Sequence, residues 1–490
     1  MDQERTARTL YDSLAESAKK FPEKNAIDFY GKKLSYSQLK NFADRFASLL
    51  RTMHIEKGDR IAICSHNCPQ FVFSLYGTSK IGAISVPINP EYKEKEILNV
   101  LSDCDAKVLI CENCDLPAEK VRKIHIQTDP LNRKDELFNS LDKMESDVRE
   151  TKVDGNDIAL IMYTSGTASA PKGVMLTHKN VMANALSGSF WCNKSEKDRS
   201  LAVLPFSHIL GLVESLCGSI LCGSEVVILK KFSTEDATEA IERENCTICT
   251  GVPPIFKALS RNDNRDLSSL RVCFVGGAHI DERDIETFEK RAGCELLEGY
   301  GLTESAAQLT INPPKKPKHG SVGIPIYDVS FKVLGEDGEE LGQNRVGELI
   351  FKGPQMMKGY WRNEEETKRA LKDGWLHTGD LGYFDEDSYI YLKGRKDEII
   401  NISGYKVLPE EIESTLISNE KVREACAISS REGGKEVIKA FVVLKKEANE
   451  RELIEWCMDR LSSYKCPAKI EFVDALPKSA SGKVLRRALK

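Results

Sequence analysis

Hydrophobic positions along the first hundred residues switch between a helical and a strand period. Leu10–Lys20 has apolar residues at helical spacing, and 35–51 repeats them at Leu39, Phe42, Phe46, Leu49 and Leu50. Short apolar runs at 26–30, Arg60–Cys64 and 84–86 read as strands, and Pro69–Lys80 reads as a helix stopped by Gly82. Alternation of this kind predicts a mostly parallel sheet covered by helices on both faces. The polar, charge-rich stretch 115–157 predicts peripheral elements, and a second α/β stretch runs over about 158–304. From about 322 to 391 the pattern becomes short strands with glycine turns, at 331–334, Gly347–Lys352 and 389–392, which predicts a small β subdomain. The remainder reads as helix Pro409–Ile417, strand 422–429, a Gly433-Gly434 turn, strand 437–444, helix 450–461 and strand 469–473.

Charge separates this last part from the rest. Residues 395–490 hold 19 Lys/Arg against 16 Asp/Glu, while residues 1–394 hold 51 against 59. A small basic α+β domain, 395–490, is thus expected after a large acidic α/β domain, 1–394. The net charge of −5 excludes the basic excess of a nucleic-acid-binding surface. The 490 residues, 41% hydrophobic and 30% charged, exclude global disorder. The most apolar stretch, 209–224, is broken by Gly211, Glu214, Gly218 and Gly223, so it is expected to be a buried helix rather than a membrane span. The polar N-terminus shows no secretory h-region and the C-terminal RALK is no targeting address, so a cytoplasmic location is expected. The pattern leaves peripheral membrane contact and oligomeric state open. The 15 cysteines are expected to be reduced. Two CxxC pairs occur, Cys111/Cys114 and Cys246/Cys249; the stretch 246–250 reads as a strand, where residues three apart point to opposite faces, and small buried hydrophobes are the expectation rather than a zinc site.

The most informative stretch is IALIMYTSGTASAPKGVMLTH, 158–178. An apolar strand enters a loop with Thr164, Ser165, Gly166, Thr167 and Lys172, and an ordered element resumes at Val174. Glycine lets backbone N–H groups curl around anionic oxygens, the hydroxyls add donors and Lys172 adds charge. This predicts a phosphate-binding loop, although the spacing is not that of a Walker A motif. In EGYGLTES, Gly299 and Gly301 allow a ligand close to the backbone, Tyr300 can stack on a purine, and Glu304 is a hard carboxylate suited to Mg²⁺.

YTSGTASAPKGV resembles the signature of the adenylate-forming superfamily, which includes acyl-CoA synthetases, aryl-CoA ligases and luciferases. Ala168 and Ser169 depart from the usual pattern, removing one hydroxyl and the tip glycine. Six further segments resemble that family in order: LPFSHILG, EGYGLTES, GELIFKGPQMMKGYWRNEEET, WLHTGDLG, GRKDEIINISGYKVLPEEIE and PKSASGKVLR. The resemblance spans nearly the whole chain and implies a large domain followed by a small mobile one, with a hinge near Asp397. It implies ATP, Mg²⁺ and coenzyme A as cofactors. It assigns the nucleotide to Thr164, Ser165, Gly166, Thr167, Lys172, Gly277, Ala278, Gly299, Tyr300, Gly301 and Thr303, the ribose to Asp380 with Arg395, and Mg²⁺ to Glu304. It makes His208 a gate, places Gly404 along the pantetheine tunnel, and makes Lys483 the lysine that holds substrate carboxylate and α-phosphate.

The function this implies is a carboxylic acid–CoA ligase working through acyl-AMP. The gate segment has no Asp to pair an amino acid's ammonium, and the small Ser305, Ala306 and Ala307 are expected to leave room for an extended chain. A medium- or long-chain fatty acid is therefore the first expectation. An aryl acid such as a cinnamate or benzoate, an acyl-AMP ligase loading a carrier protein, and a non-catalytic nucleotide sensor are the alternatives.

Overall fold

The computed structural model describes residues 9–112, 116–118, 121–127, 136–146, 151–164, 171–261, 265–402, 405–432, 435–478 and 484–489. The chain divides into two compact units: Met1–Ser330 with Lys352–Leu376, and Phe331–Phe351 with His377–Lys490.

The helices of the first unit begin where the sequence supplies caps. Thr9 accepts from Asp12 N and starts Leu10–Lys20; Ser35 accepts from Gln38 N and starts Tyr36–Thr52, each in a reciprocal capping box. Pro69 occupies the first turn of Pro69–Lys80, whose residues 69–79 are all buried. Short β-rich segments between the helices pair into two sheets. The nine-stranded sheet runs, in space, Ile324–Pro325, Ala307–Ile311, Glu295–Leu302, Val272–Val275, Ile248–Gly251, Arg199–Ala202, Glu225–Ile228, Asn25–Phe29 and Lys32–Ser35. The seven-stranded sheet runs Gly359–Tyr360, Lys172–Thr177, Ile158–Thr164, Ile84–Ile88, Arg60–Cys64, Val108–Cys111 and Arg122–His125. Their centres are parallel, as the alternation predicts; antiparallel strands close both edges of the nine-stranded sheet and one edge of the seven-stranded sheet, whose other edge, Arg122–His125, is parallel.

The 209–224 stretch is buried as expected: a π-helical turn, Gly211–Cys217, leads into helix Gly218–Cys222 and stops at Gly223 with φ +73°. Among the described residues no helix is long and apolar enough to cross a membrane. Cys246 departs from expectation. The strand begins only at Ile248, so Cys246 sits in the preceding turn and packs into the same core as Cys249. Burial raises both thiols, Cys249 to about 12. Cys111, which ends its strand, is disulfide-bonded rather than reduced, a covalent pairing that strand periodicity does not announce. Cys114 lies outside the described residues.

The second unit holds residues 377–384 of strand Trp375–Phe384, paired antiparallel with Ile390–Arg395, in a small sheet with residues 331–334 and 347–351. A three-stranded sheet, Val422–Glu432, Lys435–Leu444 and Lys469–Phe472, packs with helices Pro409–Ile417 and Glu450–Met458 around Ile412, Leu416, Ala440, Val442, Leu453 and Ile470. The small β sheet thus groups with the C-terminal elements, and position 394/395 lies inside this unit.

Candidate functional site

Strand Ile158–Thr164 leads directly toward 165–170, so Ser165, Gly166, Thr167, Ala168 and Ser169 lie outside the described residues. The chain returns as strand Lys172–Thr177, two residues earlier than expected, antiparallel to its predecessor with Thr164 opposite Lys172. The loop is therefore carried by a hairpin, not by a strand running into a helix. Helix His178–Trp191 starts only after the return strand, capped by Thr177 and Asn180. His178, at the end of the motif, is a core residue: it accepts from Leu10 N at 3.3 Å, and burial lowers its imidazole to about 4.

Glu304 sits in a 3-10 turn, Thr303–Ser305, at the end of strand Glu295–Leu302. Ser305 Oγ closes the turn against the Leu302 amide and carbonyl, and the Asn184 amide donates to the carbonyls of Ser305 at 2.9 Å and Gln308 at 2.8 Å. Ser305, Ala306 and Ala307 are buried and face no open space, so they make no room for a substrate here. Their size answers a different demand. Ala306 and Ala307 have φ of +54° and +117°, where larger side chains are strained, and a Cβ on Gly301 would lie 1.6 Å from the Ala307 carbonyl oxygen.

Side chains then link Glu304 to the loop. The Tyr360 hydroxyl donates to Glu304 Oε1 at 2.8 Å, and the Lys172 ammonium lies 5.2 Å from the centre of the Tyr360 ring. Lys172 also pairs with Glu366, whose other oxygen accepts from Arg369 at 2.5 Å; the Lys172 bond holds the Glu366 carboxyl below its usual range. Tyr360, Glu366 and Asn184 were not singled out from sequence. The only signal for the first two is that GYWRNEEET belongs to a motif with no chemistry of its own.

Gly276–Ala278 follow strand Val272–Val275 at its carboxyl end, beside the parallel strand that carries Gly299 and Tyr300. A Cβ on Gly276 would lie 3.2 Å from the Gly299 carbonyl oxygen, and Gly277 has φ +81°. The expected nucleotide residues Gly277, Ala278, Gly299, Tyr300, Gly301 and Thr303 therefore share one strand end with Glu304. Ligands of open α/β sheets bind at such carboxyl ends.

His208 lies in a turn braced by Asn67, which donates to Leu204 O at 2.8 Å and accepts from Phe206 N at 2.7 Å. Its side chain reaches accessible space, so it is not a core histidine, yet the protein around it desolvates the imidazole and lowers its pKa.

In the second unit, Asp380 and Arg395 are paired across the hairpin, with Arg395 Nη1 at 2.9 Å from Asp380 Oδ1. Asp380 is buried, and Thr378 braces the turn through Leu349 O at 2.7 Å. Arg395 Nε also donates to Asp397, at 3.0 Å, in the 3-10 turn Lys396–Glu398. Gly404 and Lys483 lie outside the described residues. Next to Lys483, Val484 bridges Lys478, and Arg486 binds Glu398 at 3.0 Å, Glu413 and the Ala427 carbonyl.

The sequence matches the profile of the AMP-binding enzymes over residues 14–361 and that of the AMP-binding enzyme C-terminal domain over 411–483. It is 37% identical to a long-chain-fatty-acid–CoA ligase of Bacillus subtilis, covering 98% of this chain and 94% of that one. It is 32% identical to 4-coumarate–CoA ligase 3 of Oryza sativa, covering 94% and 87%. The fold is similar to O-succinylbenzoate coenzyme A synthetase of Bacillus subtilis, solved with ATP and magnesium ion, at TM-score 0.88 and 30% identity over 99% of this chain and 99% of the other.

Proposed function

The chain belongs to the AMP-binding enzyme family, as an ATP-dependent acyl- or aryl-CoA ligase, and from that premise we propose that it activates fatty acids of medium or long chain. The observation that carries the reading is the linkage of Glu304, Tyr360 and Lys172 beside the Gly299–Tyr300 strand end. It joins the expected metal carboxylate, the expected phosphate cation and the strand end expected to take the base in one place.

In the first step the substrate carboxylate attacks the α-phosphorus of ATP, giving acyl-AMP and pyrophosphate. The carboxylate is already a nucleophile, so alignment and neutralisation of spreading charge dominate. Thr164, Ser165, Gly166 and Thr167 supply donors to the phosphates, and Lys172 supplies charge. Gly277, Ala278, Gly299, Tyr300, Gly301 and Thr303 receive the base, while Asp380, with Arg395 beside it, takes the ribose hydroxyls. Glu304 fits Mg²⁺: it is half-buried, and Tyr360 occupies Oε1, so Oε2 is the oxygen left for a cation. Mg²⁺ held there would neutralise phosphate charge. Lys483 holds the carboxylate and α-phosphate. In the second step the coenzyme A thiol attacks the acyl carbonyl and expels AMP, approaching past Gly404. No covalent enzyme intermediate is needed, so no cysteine serves as nucleophile. A turn about Asp397 exchanges Lys483 for Gly404 between the steps, and His208 gates the acyl site.

Identity to a fatty-acid ligase over nearly the full chain supports the fatty acid. The 4-coumarate ligase relative supports an aryl acid as the second reading. Incubation with ATP, Mg²⁺, coenzyme A and separate saturated fatty acids, 4-coumarate or benzoate, followed by AMP and acyl-CoA release, decides between them. Fatty acids should give the highest kcat/KM. Turnover of 4-coumarate alone would reverse the order, AMP formation without acyl-CoA would point to a carrier protein, and no AMP with any acid would overturn the reading.

A further inference from the structure

The segment MKGYWRNEEET, 357–367, supplies no group that touches substrate in the chemistry above, yet its backbone reaches both halves of the phosphate site. Met357 N donates to the Glu304 carbonyl at 2.8 Å. Gly359 and Tyr360 then pair with Met175 and Val174 on the return strand of the hairpin, and Trp361 N donates to Gly173 O at 2.7 Å. Residues 357–361 therefore strap the Glu304 turn to the strand that begins at Lys172.

Tyr360 is the side chain on this strap that touches both functional groups. We propose that Tyr360 is a positioning residue that couples metal binding to phosphate binding: its hydroxyl fixes Glu304, and its ring face carries Lys172. The proposal rests on the reading of Glu304 and Lys172 given under Proposed function. Donation to Oε1 orients the carboxylate and directs Oε2 to the cation. A partner of this kind behind a metal ligand typically changes metal affinity by about 10- to 100-fold. The ring face attracts the ammonium through its quadrupole, and 5.2 Å is within the range of that interaction. Because the ring is tied to Glu304, Lys172 is held at a set distance from the metal carboxylate while Glu366 neutralises its charge.

Tyr360 itself has little freedom. It is 9% exposed, its amide donates to Thr367 Oγ1 at 2.9 Å, and a Cβ on the preceding Gly359 would lie 2.7 Å from the Thr367 side chain. The hydroxyl contact can be removed alone or together with the ring contact. Tyr360→Phe deletes the hydroxyl and keeps the ring face; Tyr360→Leu deletes both.

The test measures binding rather than turnover. Mn²⁺ affinity is read by electron paramagnetic resonance with a non-hydrolysable ATP analogue present, and the metal-free affinity for the same analogue is measured by calorimetry. Tyr360→Phe should weaken Mn²⁺ binding by about tenfold or more, with metal-free analogue affinity within about twofold of wild type. Tyr360→Leu should show the same metal defect and also lose about two- to fivefold in metal-free affinity. Unchanged Mn²⁺ affinity in Tyr360→Phe overturns the proposal. So does an equal loss of metal and metal-free nucleotide binding in that variant, which is the pattern of a merely structural role. If the wild-type chain bound no nucleotide, the parent reading would fail first; wild-type binding with an indifferent Tyr360→Phe removes this inference alone.

Discussion

Gly301→Ala tests how tightly the fold sets the position of Glu304. A Cβ at this position would lie 1.6 Å from the Ala307 carbonyl oxygen, whereas ordinary contact begins at 3.4 Å, so that carbonyl has to retreat by about 1.8 Å. The obstacle is backbone and no side chain can swing aside. Gly301 and Leu302 are paired with Gln308 and Ala307, and Asn184 grips the carbonyls of Ser305 in the turn and of Gln308 after it. The displacement therefore falls on the turn between them, which holds Glu304. Overpacking of this kind destabilises by about 1–3 kcal/mol, and a misplacement near 1 Å at a reacting site lowers rate by about 10²-fold. Carboxylate-dependent ATP–pyrophosphate exchange should fall by about that factor. The control is Gly293→Ala, which has φ +72°, nothing within 4 Å and a place at a helix end. Left-handed strain there costs about 1–2 kcal/mol, so its melting temperature should drop comparably with exchange intact. Exchange by Gly301→Ala within about threefold of wild type would refute the reasoning, as would an equal loss in Gly293→Ala.

Further outcomes are expected elsewhere. Lys483→Ala should cripple pyrophosphate exchange and largely spare conversion of supplied acyl-AMP to thioester, and Gly404→Leu should do the reverse; equal damage to both steps in both variants would rule out alternation about Asp397. Burial raises the Glu214 carboxyl to about 7, above its ordinary range near 4.5, so the folded state binds the extra proton. Stability from this group is full below about pH 4.5 and is lost as pH rises through 7, by up to about 3 kcal/mol. The fall in melting temperature between pH 5 and pH 8 should therefore be smaller in Glu214→Gln than in wild type, and an equal fall would refute it. A Cβ on Gly188 would lie 2.2 Å from Glu214 Oε2. Gly188→Ala should thus destabilise by about 1–3 kcal/mol, and denaturation of the double variant with Glu214→Ala should show at least half of that restored.

Much of this protein follows from local pattern. The boundaries of Leu10–Lys20 and Pro69–Lys80 were legible because a cap, a proline and a 3.6-residue apolar period are local properties of the chain. The alternation of short strands and helices likewise sufficed for parallel-centred α/β sheets, though not for which strands share one: Asn25–Phe29 and Lys32–Ser35 join the strands of 199–325, and 158–177 joins those of 60–125. The residues of EGYGLTES and YTSGTASAPKGV stood out because closely spaced glycines, hydroxyls, a lysine and a carboxylate are a chemical signal without any fold.

What needed the tertiary structure is the choice of partners between distant segments. Glu304 and Tyr360 are 56 residues apart, Asn184 and Ser305 121, and Lys172 and Glu366 194. Periodicity says which face of a strand is apolar but not which strand lies beside it, and strand order brings these pairs together. The same limit explains the misreadings. Ser305, Ala306 and Ala307 looked like space for a substrate, because smallness in a sequence does not distinguish an open wall from a left-handed backbone packed under Gly301. Cys246 and Cys249 were placed on opposite faces, because a strand start two residues later changes where a side chain points. The chemistry on offer is local and readable; the geometry that makes it one site is a property of long-range pairing, which a single sequence does not display.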